Sequence, residues 1–149
     1  MSFDLYVWGS PRPATAQQAE RICHELAAGN SRSVSVDARV RGFAQEMLGR
    51  FPALESLADE EMEISPWSMT PEVSASHVIM TISWSRAPEV AEFVLGLAAR
   101  QGLVCFDPQA DWRMQYDCWL GTMSDNVLSV IPTDPRWQPE PSHAEQARR

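Results

Sequence analysis

The apolar residues of this chain recur with two different periods. The order in which those periods alternate restricts the fold more than any other feature. Phe3, Leu5 and Val7 alternate with Asp4, Tyr6 and Trp8, the period of two that marks a strand. Gly9-Ser10-Pro11-Arg12-Pro13 breaks it. The period then lengthens. Thr15 with Gln18 fits a capping box, and Ala19, Ile22, Cys23, Leu26 and Ala27 follow at helical spacing up to Gly29-Asn30.

A second helix is expected from the N-cap Asp37, with Val40, Phe43, Ala44, Met47, Leu48 and Phe51 as the strongest helical stripe in the chain. Pro52 ends or kinks it, and Ala53–Leu57 has room for one more turn. Asp59-Glu60-Glu61-Met62-Glu63 reads as a solvated loop. Pro66 and Pro71 bracket Trp67–Thr70, so a strand there must be short and lie at a sheet edge. His77–Trp84 alternates again and suits a central strand. Pro88 opens a third helix with the stripe Val90, Phe93, Val94, Leu97 and Ala98. Gly102 caps it, Leu103–Phe106 is the last strand, and Asp107-Pro108-Gln109 closes it.

The order is β-α-α-β-β-α-β. This predicts an α+β domain over residues 1–109 of the ferredoxin-like, split βαβ kind, with one helix added. Helices cover one sheet face in that plan, and the first and third strands are the central pair. Residues 110–149 read as a Trp- and Pro-rich extension packing back on the domain, with a loose end. A chain of 149 residues suits one such domain and needs no metal or disulfide to hold a core.

Charge narrows the function classes. The formal net charge is −8, and all 12 basic residues are Arg. The first 57 residues balance, whereas residues 58–72 hold Asp59, Glu60, Glu61, Glu63 and Glu72 without a base. Such a balance argues against nucleic acid and against anionic membrane surfaces, and it suits a basic partner. No apolar stretch approaches the ~20 residues of a membrane span. The opening residues lack the pattern of a signal peptide. Cys23, Cys105 and Cys118 have no metal or redox spacing and read as reduced thiols of a cytoplasmic protein.

Catalytic motifs are not found: there is no phosphate loop, His-Glu-x-x-His, Cys-x-x-Cys or nucleophile elbow. No catalytic residue, metal or cofactor is assigned. The acidic run also lacks the central Gly of a calcium loop. A Cys105, His77 and Asp107 site would need the three to meet in space. The candidate residues for partner binding are Asp4, Tyr6 and Trp8 on one strand face, Asp59, Glu60, Glu61 and Glu63 in the acidic run, and Asp107 at the last turn. Tyr and Trp anchor interfaces, and a carboxylate on a sheet face must be solvated, paired or used.

Met1-Ser2-Phe3-Asp4-Leu5-Tyr6-Val7-Trp8 and Gly102-Leu103-Val104-Cys105-Phe106-Asp107-Pro108-Gln109 resemble the two ends of a group of small bacterial proteins. Members open Met-Ser-(Tyr/Phe)-Asp-Leu-x-x-Trp and close Gly-Leu-Val-x-(Tyr/Phe)-Asp-Pro-Gln, and they are similar to the acidic immunity proteins of secreted toxins. The resemblance implies an immunity or antitoxin-type inhibitor whose partner is a basic toxin. It carries no catalytic residues. Two alternatives stay open: a homodimeric ligand-binding module with a pocket at Tyr6, Trp8 and Ile79, and a small enzyme using Asp4 or His77 on the open sheet face.

Overall fold

The computed structural model describes residues 2–10 and 16–108. Thr15, Gln109, Cys118, His143 and the 110–149 extension lie outside the described residues. Four strands form one antiparallel sheet: β1 (Ser2–Trp8), β2 (Trp67–Val73), β3 (His77–Ser83) and β4 (Val104–Phe106). Their order across the sheet is β2-β3-β1-β4, so β1 and β3 are the central pair, as the alternation required.

Helices α1 (Ala16–Ala27), α2 (Ala38–Arg50), α3 (Asp59–Ile64) and α4 (Ala87–Gln101) fill the connections. The Asp37 carboxylate caps α2 by accepting from the Arg39 amide. Gly102 ends α4 with φ +69°, a left-handed conformation that costs glycine nothing. Gly29 follows α1 in the same region of backbone space.

Cross-strand pairing sorts the sheet residues into two faces. Phe3, Leu5 and Val7 of β1 share one face with Val78, Met80 and Ile82 of β3 and Cys105 of β4. Val40, Phe43 and Met47 of α2 and Val90, Val94 and Leu97 of α4 cover that face and make the main core. Each large apolar side chain buried there contributes about 1.5–3 kcal/mol.

The other face corrects an expectation. It is not left open at the end where β1 finishes. Ala19, Cys23 and Leu26 of α1 pack on Tyr6, Trp8, Val104 and Phe106. Helix α1 therefore forms a second, smaller layer on the face opposite α2 and α4. The physical reason is that these four sheet residues are large and mostly apolar on a face that α2 and α4 cannot reach.

Two further elements differ from the sequence reading. The acidic run is not a loop but the short helix α3, whose first turn holds Asp59, Glu60 and Glu61. Carboxylates at a helix N-terminus are favourable beside its positive end. The edge strand β2 is also longer than expected, because it runs on through Pro71. The register shifts between Trp67 and Met69 and again between Met69 and Glu72, so Pro71 sits where the ladder is already interrupted.

Candidate functional site

The eight candidate residues fall into two separate groups. Asp59, Glu60, Glu61 and Glu63 stand on α3, none of whose residues is buried. Its apolar residues are exposed too: Met62 at 39% and Ile64 at 72% of full accessibility. Met69, two residues into the strand that follows, is 64% exposed. Sequence reasoning marked the acids and missed these three exposed apolar residues. The only signal was that Met62 interrupts the acidic run and Ile64 ends it.

The position of α3 is held at its C-terminal end. Arg86 Nη1 donates to the Ile64 carbonyl at 2.6 Å, and Arg86 Nε donates to Glu89 Oε2 at 2.8 Å. A cation at the last carbonyls of a helix meets its negative end. Just before α3, Thr70 Oγ1 donates to Glu55 Oε2 at 2.7 Å and ties the Leu54–Ser56 turn to β2. The acidic helix is thus exposed but anchored.

Asp4, Tyr6, Trp8 and Asp107 form the second group, around α1. They are not a free platform. Trp8 is 1% exposed, Tyr6 8% and Asp107 2%. Asp4 is half-buried opposite Thr81, whose side chain it meets by a hydrogen bond. Burial raises the Asp4 carboxyl above its usual range, and the Thr81 bond offsets part of that. Burial, followed by Cys23, Asp4 and Glu72, pushes the Tyr6 hydroxyl up to about 12. Burial and then Asp4, Asp107 and Glu20 push the Cys23 thiol up to about 12. A thiol held neutral in this way is a poor nucleophile. The exposed aromatic anchors expected from the sequence are therefore core of the α1 layer.

The Cys105, His77 and Asp107 constellation is not assembled. Cys105 lies opposite Val7 on the face of the main core, whereas His77 lies opposite Trp8 on the other. Burial raises the Cys105 thiol, and Asp107 adds to the effect. His77 instead belongs to the β2–β3 turn. Its Nδ1 lies 2.9 Å from both Ser74 Oγ and Ser76 Oγ, while Nε2 is 3.9 Å from Glu72 Oε1, too long for a hydrogen bond. Ser74 Oγ also accepts from the amides of Ser76 (3.2 Å) and His77 (3.0 Å). These hydroxyls cap the turn and fix the ring, and the buried imidazole offers no face to a substrate.

His77 gives a pH dependence with a definite sign. Burial lowers its pKa from the ordinary 6.5, against the opposing pull of Glu72. The unfolded chain then binds the proton more readily than the folded one. This contribution to stability is complete above pH 6.5 and is lost as pH falls toward the lower folded value. We expect His77→Asn to show a flatter decline of unfolding free energy over that acid window than the parent, measured by urea titration at a series of pH values. Parallel declines would refute a buried neutral imidazole.

Among the described residues no group of three or more His, Cys, Asp or Glu is placed to hold a metal ion. No helix among them is long and apolar enough to cross a membrane. No known protein family, curated protein or solved structure matches the chain.

Proposed function

We propose that this protein is a non-enzymatic interaction protein that binds a basic protein partner through α3. We propose further that the partner is a bacterial toxin, which the protein neutralises in the cytoplasm as an immunity or antitoxin-type inhibitor. One observation carries the reading: four carboxylates and the apolar side chains of Met62 and Ile64 stand exposed together on an anchored helix. Exposed apolar side chains interspersed with carboxylates suit a partner surface, because the apolar area supplies affinity while the charges supply rate and specificity. The strand order and the all-antiparallel pairing support a ferredoxin-like sheet, with α1 as an added layer. Fold alone does not choose a function, so the weight rests on the α3 surface.

The test begins with tagged protein recovered from its host at low salt and analysed by mass spectrometry. The expected result is one stoichiometric basic protein that raised salt releases. With that partner purified, Glu60→Arg combined with Glu61→Arg is expected to weaken binding by about tenfold or more, as reversed charges replace attraction with repulsion. The double variant also loses favourable contacts at the positive end of α3, so its unfolding free energy should fall by about 1–2 kcal/mol at most, with the main core untouched because no residue of α3 is buried. Affinity that does not change with salt or with charge reversal would sink the assignment of α3.

A further inference from the structure

Helix α3 is too short to order itself. Isolated helices below about 12–15 residues are marginal in water, and α3 has six. All six are exposed, so no apolar face holds the helix to the core. Propensity and the carboxylates of its first turn favour the helix but do not fix its place. The N-terminal end is not tied down either. Its cap is Ala58, which offers no side-chain hydrogen bond to the first turn.

The C-terminal end is tied. Among the described residues, one side chain from a distant part of the chain bonds to α3. It is Arg86, in the Trp84–Arg86 turn after β3, whose Nη1 donates to the Ile64 carbonyl at 2.6 Å. The last carbonyls of a helix have no partner inside it, and they form its negative end. A charged donor therefore suits them, and its hydrogen bond is stronger than a neutral one.

Arg86 is itself set in place. Its Nε donates to Glu89 Oε2 at 2.8 Å, and Glu89 Oε1 lies 3.6 Å from Nη2 of Arg50, the last residue of α2. The Arg50 guanidinium in turn stands over the Phe51 ring, 4.6 Å from its centroid. The hydrogen bond from Arg86 is the main cause that holds the Glu89 carboxyl below its usual range. Two helices of the main core thus aim one guanidinium at the end of a third.

We propose that Arg86 is the positioning residue of the partner surface: its bond to the Ile64 carbonyl keeps α3 helical and facing outward, and so sets the affinity for the basic partner. This rests on the reading of α3 as that surface. The charge of Arg86 gives the proposal a distinctive sign. A basic partner is repelled by a cation beside its contact, so direct electrostatics alone makes binding tighter when Arg86 is removed. Positioning makes it weaker. If α3 is ordered only about a tenth of the time, the apparent Kd rises about tenfold.

The experiment compares the full-length parent with Arg86→Met and Arg86→Lys. NMR reads the Cα resonances of Asp59–Ile64, and the affinity of each protein is measured for the basic partner recovered with the tagged parent. In Arg86→Met we expect these resonances to move most of the way to coil values while those of α2 and α4 stay helical, and affinity to fall about tenfold. Arg86→Lys keeps a charged donor on a similar stem and should recover most of both, a paired recovery that a merely structural role would not give. Glu89→Gln keeps Arg86 and removes its ionic partner. It should shift the same resonances in the same direction by less, and it decides the matter if Arg86→Met does not fold. An α3 that stays helical in these variants overturns the role of Arg86 and leaves α3 as the contact. Tighter binding by Arg86→Met overturns that role as well. An α3 that melts with undiminished affinity overturns the reading of α3, and the proposal with it.

Discussion

Replacing Trp8 by alanine is expected to destabilise the protein by about 3–5 kcal/mol, the usual cost of deleting a fully buried aromatic ring. Trp8 is 1% exposed and packs with Tyr6, Ala19, Cys23, Leu26, Val104 and Phe106. It is the largest fully buried side chain among the described residues. A helix of 12 residues is marginal by itself in water, so α1 depends on this contact for its order. Two measurements check the claim. Urea unfolding gives the loss of free energy. Hydrogen exchange should show the amides of α1 losing protection, while those of α2 and α4 keep theirs, since the latter pair packs on the other face through a separate cluster. A loss below about 1 kcal/mol, within the range of ordinary surface changes, would put Trp8 on an open face and remove α1 from it.

That experiment also isolates what could be read from residue order. The alternation of Phe3, Leu5 and Val7, the stripe from Val40 to Phe51, Asp37 as a cap and Gly102 as a stop are local patterns, and the structure follows them. Which sheet face a helix covers is not a local property. The stripe Ala19, Cys23 and Leu26 marks α1 as amphipathic, but it fits either face. The choice was visible only in the sum: Tyr6, Trp8, Val104 and Phe106 gather at one end of one face once β4 is registered against β1. The acidic helix escaped for a different reason. Periodicity detects a buried stripe, and α3 has none; its helical form rests on propensity and on carboxylates at its N-terminus. The candidate site divided along the same line. Exposure of Asp59, Glu60, Glu61 and Glu63 followed from charge alone, whereas burial of Trp8 and Asp107 depended on tertiary neighbours.

Trp67→Ala is expected to be as costly as Trp8→Ala, about 3–5 kcal/mol, for a reason that combines packing with a hydrogen bond. Trp67 is 3% exposed at the start of β2. Its ring meets Phe51 edge-on at 6.1 Å, and Phe51 meets Phe93 of α4 at 5.5 Å. Its Nε1 donates to the Phe51 carbonyl at 3.0 Å in a buried setting. Phe51 is the residue that closes α2, so one indole joins the edge strand to two helices. Truncation removes the ring and also strands the Phe51 carbonyl without its donor. Trp67→Phe separates the two effects. It keeps most of the apolar contact and loses only the N–H, so about 1–3 kcal/mol is expected. Urea unfolding of both variants measures the difference, and a Trp67→Phe protein as stable as the parent would remove the hydrogen bond from the account. The comparison reaches function because Trp67 begins only three residues after Ile64, where the chain leaves α3. In Trp67→Phe the protein is less stable but the acidic helix keeps its exposed face, so affinity for the basic partner should hold while the protein remains folded. Glu60→Arg with Glu61→Arg should do the reverse, lowering affinity sharply while costing stability only the small dipole contribution at the start of α3. Only a binding surface energetically separate from the core gives both results. Loss of binding in proportion to loss of stability across the two variants would instead mean that the partner is recognised through the sheet and its packing, and that α3 is not the contact.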